Sequence, residues 1–576
     1  MRTTSCLIAF AVLAASTLAG PMSTTSPVHS TLATLPGDGG YHVDKRFGYK
    51  FKAPKKWSDI AIKTDEAWLT AKYLSNKKYF HTDELTKYTS DQTPELLCIA
   101  FIDEIVKKKS REVDEKTEDG VSTTTITFNN PYKNYEDFLD RTYSGGGFFI
   151  DEKKESKLGD IKVTKYVIKV EKLSRNGPKR IVTWVYHAPD IDFAVQVEVL
   201  ADAYPKLKKV LDRTFASFKL IERTEGRLPT SGKTNDGFTI TIRDMETGTP
   251  KERRSKRVES QEQLHRRAIE RLPKEWEDMK TKGLLILSHT DKKYAQRVGV
   301  HCALLLQWFD KTFPYVGKGE YVRAPIIRVC KDNEENGAFS RGVNSGGGWW
   351  FGTGGEIVTN KGTSGFGGYE MDRVNRQLFS YWFQERDRDL SSALPEWLGN
   401  GLYQYVEGAR AKGSKVNFSV DRYSETEARL AVSRGTATSP RDLIRMTREE
   451  FQTSAGGTAS GEAYWSRRTE SAMLVRFLVS KESRRCKQAK GLLEKYLTSL
   501  NAIMNEEKAD ENKEFKSEAD AEPETEEEEE ARAKERASRW RKKEKELMES
   551  VFERVFAGWD DSDWKSFESA YFKYLS

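Results

Sequence analysis

Hydrophobic and polar residues alternate in several short stretches of the first part of the chain. The stretch FGYKFKAPKKW places Phe47, Tyr49 and Phe51 on one face of a strand that ends before Pro54. Further β-rich runs follow, namely ELLCIAFI, STTTITF, IKVTKYVIKV, KRIVTWVYHA and DFAVQVEVL. The next stretch, YPKLKKVLDRTFASFKLI, carries apolar residues at helical spacing. This pattern predicts an α+β domain over residues 41–221.

The alternation typical of strands and the apolar spacing typical of helices both recur from about residue 263 onwards. The apolar run KGLLILSHT predicts a buried strand, KYAQRVGVHCALLLQWFDKTF predicts a long helix, and APIIRVC predicts another strand. The glycine-rich stretch SGGGWWFGTGGEIVTN is interpreted as a bulged edge strand. Residues 459–500 and the stretches LMESVFERVF and DWKSFESAYFKYL predict helices. Together these elements predict a second domain over residues 263–505, completed by the helices at 546–576.

Two polar segments flank or interrupt this second domain. Residues 222–262 contain the basic run PKERRSKR and are interpreted as a linker. Residues 506–545 change from a strongly acidic half to a strongly basic half, which predicts a solvated, charged low-complexity insertion. A partner-binding tail is the alternative interpretation of that insertion.

The beginning of the sequence has the composition of an export signal. Arg2 precedes a short apolar run from Cys6 to Leu18, and small residues follow at a suitable cleavage site. Residues 1–20 are therefore interpreted as a signal peptide and residues 21–40 as a flexible leader; an uncleaved anchor is the alternative. We expect the protein outside the cytoplasm, periplasmic or secreted, without a transmembrane segment after cleavage.

Composition adds two further expectations. The net charge of +7 is small for 576 residues, and charges of both signs are interleaved, so there is no case for nucleic-acid binding. Four cysteines lie beyond the signal region without CxxC spacing. They predict buried free thiols, with one disulfide as the alternative, at Cys98, Cys302, Cys330 and Cys486.

The pattern that bears on chemistry lies between residues 371 and 405. The stretches VNRQLFSYWF and PEWLGNGLYQY have the frame of a zinc-peptidase site. In such a site HExxH on one helix supplies two histidine ligands and a catalytic glutamate, and a second helix supplies a glutamate ligand. Here Arg376 and Ser380 stand at the two histidines, Gln377 at the catalytic glutamate and Asn400 at the third ligand. The spacing of twenty positions between Ser380 and Asn400 survives.

The order of elements around this frame resembles that of bacterial secreted proteins with a gluzincin, or peptidase-MA-like, domain. Residues 41–221 resemble the PsbP-like fold, an α/β/α sandwich used mostly for binding and scaffolding. The expected fold class is therefore α+β, with an N-terminal PsbP-like sandwich. A gluzincin-like metallopeptidase domain with a helical C-terminal part follows it.

The residues at the four frame positions do not suit zinc chemistry. Arginine is permanently cationic, serine and asparagine are weak neutral ligands, and glutamine cannot act as a general base. No two of the seven histidines have i,i+3 or i,i+4 spacing, and His301 is interpreted as a core residue. We expect no zinc, no cofactor and no peptidase activity. The alternative for the first helix is an ordinary solvent-exposed stripe of Arg373, Gln377, Ser380 and Gln384.

The hypothesis is an exported pseudopeptidase that binds or scaffolds at the cell envelope. Its ligand would be a peptide, a glycan or an envelope protein, with candidate contacts at Trp349, Trp350, Phe351, Arg376, Asn400 and Tyr405. One alternative is a hydrolase with an unconventional site, because several carboxylates are near in the chain: Glu356, Glu370, Glu396 and Glu407. The other alternative is a structural envelope protein without a ligand.

Overall fold

A computed structural model of the chain describes most residues beyond position 39. The described residues are 40–63, 66, 68–102, 111–118, 121–128, 130–143, 147–170, 177–224, 239–243, 248–270, 272–317, 321–340, 356–362, 368–419, 422–452, 461–514 and 526–575. They form two compact units, an N-terminal unit (40–299 and 323–366) and a C-terminal unit (300–322 and 367–575). The predicted signal peptide lies outside the described residues. Helices and strands are both abundant, so the predicted α+β class is confirmed.

The N-terminal unit is built on strands whose alternating residues face opposite sides of a sheet. In chain order these are β1 (Tyr41–Asp44), β2 (Tyr49–Lys52), β3 (Trp57–Asp59), β4 (Leu69–Ser75), β5 (Tyr79–Thr82), β6 (Thr89–Gln92), β7 (Glu95–Phe101), β8 (Arg111–Glu118), β9 (Val121–Phe128), β10 (Phe148–Leu158), β11 (Ile161–Val170), β12 (Lys179–His187) and β13 (Asp192–Leu200). Seven of them form one antiparallel sheet in the order β10-β11-β12-β13-β7-β4-β3. The predicted alternation in β2 is confirmed, because Phe47, Tyr49 and Phe51 are all buried.

Two helices, α1 (Tyr135–Tyr143) and α2 (Tyr204–Ala216), pack on this sheet. Phe138 of α1 shares a core with Ile181 of β12, whereas Phe215 of α2 shares another core with Val182. Because neighbouring residues of a strand face opposite sides, the two helices cover opposite faces. The arrangement of helix, sheet and helix is the predicted α/β/α sandwich.

The segment 222–262, interpreted as a linker, carries regular structure. After β14 (Lys219–Leu220) it contains β15 (Thr239–Arg243), which pairs with β9, and the first part of α3 (Pro250–Glu270). Helix α3 is held by its last turns, where Ala268 is buried in an apolar core. Of the basic residues in PKERRSKR, Lys251 and Arg254 are exposed, Arg253 and Lys256 are half-buried, and Arg257 is buried.

The remaining strands of the N-terminal unit form a second, smaller sheet. Its elements are β16 (Glu277–Thr281), β17 (Leu284–Ser288), β18 (Ile326–Cys330) and β19 (Glu356–Asn360), in that order across the sheet. Strands β17, β18 and β19 are parallel, and their residues are buried throughout. The strands predicted from KGLLILSHT and APIIRVC are thus confirmed. Of the predicted bulged edge strand SGGGWWFGTGGEIVTN, Glu356–Asn360 forms an edge strand, and the preceding residues lie outside the described residues. In the chain, helix α4 (Lys292–Thr312) lies between β17 and β18, and helix α5 (Asn333–Ser340) lies between β18 and β19.

The C-terminal unit is mainly helical. Its elements are α6 (Tyr369–Arg386), α7 (Arg388–Ser392), α8 (Glu396–Glu407), β20 (Ala409–Lys412), β21 (Lys415–Phe418), α9 (Arg422–Ser433), α10 (Pro440–Arg445), α11 (Arg448–Gln452), α12 (Gly461–Val479), α13 (Leu492–Glu514), α14 (Glu526–Phe556) and α15 (Asp561–Leu575). The helical region predicted over 459–500 is confirmed for 461–479 and 492–500, with a break at 480–491, and the helices predicted at the end of the chain are confirmed. No helix among the described residues is both long and apolar enough to cross a membrane.

Three of these helices, α6, α8 and α12, pack together with α8 between the other two. The approach of α12 to α8 depends on Gly401. A Cβ atom at this position would lie 2.6 Å from the carbonyl oxygen of Ser471 in α12, which is too close for any other residue. The glycine of the WLxxGxxxY pattern therefore has a packing role that is independent of any zinc ligand.

Candidate functional site

Helix α6 carries three of the four frame positions and is buried over most of its surface. Val374, Leu378 and Trp382 form its buried apolar face. The polar side is also covered, since Gln377 is 3% exposed and Ser380 is 7% exposed. The solvent-exposed stripe considered as an alternative is therefore wrong for these two residues, because helix α8 packs on α6. It holds for Gln384 at the end of the helix.

A fully bonded buried amide lies two positions before Gln377. The Nδ2 group of Asn375 donates hydrogen bonds to the carbonyl oxygens of Glu407 (3.0 Å) and Ala409 (2.9 Å). Its Oδ1 atom lies 2.6 Å from Nε2 of His301, and Nδ1 of His301 accepts a hydrogen bond from the Ala411 amide at 3.3 Å. These partners fit a neutral imidazole, and burial lowers the pKa of His301. His301 is the core histidine that the sequence predicts.

The amide of Gln377 has the opposite character. Both its Oε1 and Nε2 atoms are buried, and neither has a hydrogen-bond partner among the described residues. Buried polar groups in folded proteins are almost always paired, and an unpaired one costs about 1–3 kcal/mol. Gln377 is also the residue at the catalytic-glutamate position of the frame.

Arg376 lies against the C-terminal half of α8. Its Nη1 atom is 3.5 Å from Oε1 of Glu407, and its guanidinium lies 5.2 Å from the centre of the Tyr403 ring. Burial raises the pKa of Glu407, against the opposing effects of Arg376 and Arg468. Phe379 also contacts Tyr403. Helices α6 and α8 thus meet along the stripe that carries the frame residues.

The other two frame residues bond within their own helices. Ser380 Oγ accepts a hydrogen bond from Gln384 Nε2 at 3.2 Å. Asn400 Nδ2 donates to the Glu396 carboxylate at 2.7 Å and to its carbonyl oxygen at 3.0 Å. The Glu396 carboxylate is also paired with Arg448, whose Nε lies 2.9 Å away.

This set of donors does not fit a zinc ion. A guanidinium repels a divalent cation, and the hydroxyl and amide are neutral groups already bonded to their own helices. Within the described part of the chain, no group of three His, Cys, Asp or Glu side chains is arranged to hold a metal. We therefore derive no metal-dependent step for this site.

The carboxylates considered for an unconventional hydrolase are separated or engaged. Glu356 forms a buried ion pair with Arg328, with N–O distances of 2.7 and 3.0 Å. Glu396 and Glu407 are eleven positions apart on α8, which corresponds to about 16 Å of helix rise. Glu370 in α6 has one buried carboxylate oxygen, Oε2, without a partner among the described residues.

The remaining candidate contacts are not brought to the frame residues. The Tyr405 ring stacks on Phe418 at 4.5 Å and lies 6.0 Å from the Trp308 ring, and burial raises its pKa. On α8, Tyr405 is two positions beyond Tyr403 and so faces the opposite side of the helix. Three further predicted contacts lie outside the described residues: Trp349, Trp350 and Phe351.

One residue of the site, Arg468 of α12, was missed by the sequence analysis. Its guanidinium lies 4.5 Å from the centre of the exposed Trp465 ring and 5.6 Å from that of Tyr464. Its Nε atom is buried without a hydrogen-bond partner among the described residues. Burial, together with the like charge of Arg376, lowers the pKa of Arg468. No local sequence pattern distinguishes this arginine from the neighbouring Arg467.

Comparison with known proteins gives similarities among solved structures only. No protein-family model matches the chain, and no curated protein matches it. It is similar to LpqN, involved in cell envelope biogenesis of Mycobacterium tuberculosis, at 9% identity, over 30% of this chain and 83% of that chain, with a TM-score of 0.19. It is similar to cyanobacterial PsbP from Synechocystis at 12% identity, over 35% of this chain and 99% of that chain, with a TM-score of 0.21. Because both TM-scores are low, neither likeness carries an argument about activity, ligand or partner.

Proposed function

We propose that this chain is an exported, zinc-free pseudopeptidase that binds a ligand beside helices α6, α8 and α12 and does not cleave it. The observation that carries the proposal is the buried, unpaired amide of Gln377 at the catalytic-glutamate position of a gluzincin-like frame. The predicted export signal favours a role in binding or scaffolding at the cell envelope.

The chemistry of the frame supports binding over catalysis. An amide offers one acceptor and two donors but cannot take up a proton at neutral pH, so Gln377 replaces a base with a neutral hydrogen-bonding group. Arg376 replaces a metal ligand with a fixed positive charge. Packing at Gly401 retains the close contact between α8 and α12. In this proposal the helices of the frame keep their packing, while Gln377 and Arg376 replace catalytic and metal-binding residues with groups that can bind a ligand.

Metal analysis and a peptide-cleavage assay on the purified protein test the absence of catalysis. We expect no stoichiometric zinc and no cleavage of a mixed peptide substrate. One equivalent of tightly bound zinc, removed by a chelator with loss of cleavage, would refute the proposal.

Restoration of the ligands tests the gluzincin-like frame itself. The variant Arg376→His, Gln377→Glu, Ser380→His and Asn400→Glu supplies three ligands and a base if the four positions converge. It should bind zinc in calorimetry and melt at a higher temperature with zinc than without it, because a ligand of the folded state stabilises that state. The matched control keeps Asn400 and carries the other three substitutions, and it should bind more weakly. A folded quadruple variant with no gain in zinc affinity would show that the positions do not converge.

A thermal-shift screen with peptides and glycans tests binding. A ligand should raise the melting temperature of the parent protein but have a smaller effect on Arg376→Ala. The absence of a shift with every compound would favour the structural protein without a ligand.

A further inference from the structure

We infer that Arg468, with Arg376 and Trp465, recognises the free carboxylate at the C-terminus of a peptide whose last residue is apolar. This inference rests on the proposed binding function and names its ligand class. It also assigns a role to Arg468 and Trp465, which lie outside the peptidase-like frame.

Among the arginines around α8, Arg468 is the one without an ion pair in the described part of the chain. Three arginines of this region have carboxylate partners, in the pairs Arg376–Glu407, Arg410–Asp372 and Arg448–Glu396. Arg468 forms no ion pair with any residue that the structure describes, and it lies close enough to Arg376 for the two like charges to interact. Glu407 and Glu396 attract Arg468 without forming an ion pair with it, so its guanidinium can still bind the carboxylate of a ligand directly.

The Arg468 side chain is also held in place before any ligand arrives. Its guanidinium stacks over Trp465 and contacts Tyr464, which restricts its rotamers. The buried Nε atom shows that the group is partly removed from water. Attraction to an anion is stronger in such surroundings than at a fully hydrated surface, and a planar guanidinium can donate two parallel hydrogen bonds to a carboxylate.

The exposed Trp465 ring next to Arg468 favours a carboxylate that is attached to an apolar residue. Trp465 is 57% exposed and provides an apolar surface directly next to Arg468. In a peptide C-terminus, the carboxylate and the last side chain are attached to the same Cα atom, so an apolar last residue can reach Trp465 while its carboxylate reaches Arg468. A dianionic phosphate fits less well, because Glu407 lies in the same cluster.

The experiment compares two forms of one pentapeptide, N-acetyl-Ala-Ala-Ala-Ala-Leu with a free carboxylate and with a carboxamide. The full protein is labelled with 5-fluorotryptophan, and the Trp465 resonance is assigned in the fluorine NMR spectrum by its loss in Trp465→Phe. The acid should shift the Trp465 resonance and bind about tenfold more tightly than the amide, since hydrogen bonds to an ionised carboxylate are stronger than those to a neutral carboxamide. Equal affinities for acid and amide would overturn the inference.

Two matched arginine variants test whether Arg468 is the residue that binds the peptide carboxylate. Arg468→Gln should lose the preference for the acid, whereas Arg429→Gln should keep it. The control removes the same charge from an exposed pair with Glu425 in the same unit. Arg468→Gln that keeps the tenfold preference would overturn the assignment. If this variant does not fold, Arg468→Lys is used, which keeps the charge but not the two parallel bonds and should reduce the preference.

Competition separates the remaining sources of negative charge. Acetate should displace the acid peptide at least as effectively as inorganic phosphate does. An amidated peptide ending in Asp that binds as tightly as the free acid would overturn the C-terminal assignment. Equal binding of acid and amide would leave the pseudopeptidase proposal standing, whereas cleavage of either peptide would refute that proposal instead.

Discussion

Two amides on the same helix should respond in opposite ways to apolar replacement. Gln377→Met keeps the length of the side chain and removes two buried polar atoms that have no described partner. Loss of an unpaired buried group recovers about 1–3 kcal/mol. The variant should therefore be as stable as the parent or more stable by up to that amount. For a unit of this size, each kcal/mol raises the melting temperature by roughly 2–4 °C.

Asn375→Leu is the matched control, because Asn375 is equally buried but makes three hydrogen bonds. Replacement leaves His301 Nε2 unpaired and removes one of two hydrogen bonds at each of the Glu407 and Ala409 carbonyl oxygens, which keep their bonds from Arg410 Nη1. It should cost about 1–3 kcal/mol. Both variants are measured in the full-length chain, by calorimetry and by urea unfolding. If Gln377→Met is destabilised as strongly as Asn375→Leu, Gln377 has partners in solution, and the inference from its unpaired amide fails.

Three further results are expected. Arg328→Met should destabilise the N-terminal unit by about 3–5 kcal/mol in urea unfolding by leaving Glu356 buried and unpaired, and Arg328→Met with Glu356→Leu should recover most of this loss. Burial lowers the pKa of His42 to about 4, so its contribution to stability should be lost as the pH drops from about 6.5 towards 4, whereas the raised pKa of Asp59 acts in the opposite direction. The difference in unfolding free energy between the parent and His42→Gln should therefore fall by about 3 kcal/mol over this range; a constant difference would contradict it. Deletion of 515–541, a segment with many charged and few apolar residues, should leave the melting temperature unchanged; a loss of cooperative melting would make this segment structural.

The sequence predicted correctly those helices and strands whose buried residues follow the pattern of apolar residues along the chain. Strands such as β12 and β13 bury apolar residues along their length, and both were predicted correctly. Strand β10, with the sequence FFIDEKKESKL, was missed because it is an exposed edge strand and shows no alternation between apolar and polar residues. The first part of helix α3 falls in the segment 222–262 that was interpreted as a linker, because its many basic residues obscure the helical pattern.

For the candidate site, the sequence predicted two helices and the positions of four frame residues along them. It could not predict that Gln377 would be buried without a described partner while Asn375 would be fully bonded. That difference depends on β20 and α4, which are distant in sequence and supply Ala409 and His301. Arg468 was missed for the same reason, since its lack of an ion pair with any described residue is a property of the packed helices.

Retained packing alone would not separate a binding protein from a purely structural one, because Gly401 and the apolar residues of α6 serve both. Under the binding proposal, the unpaired polar atoms beside α8 are groups retained for a ligand, although similar atoms also occur elsewhere in the described chain, for example Nε1 of Trp276. Gln377 and Glu370 on α6 and Arg468 on α12 each bury a polar atom without a described partner, and both helices pack on α8. Apolar residues at these positions would give a more stable bundle. Selection for stability alone would thus remove these groups, whereas selection for a ligand would retain them, as natural proteins retain locally unfavourable residues at functional sites.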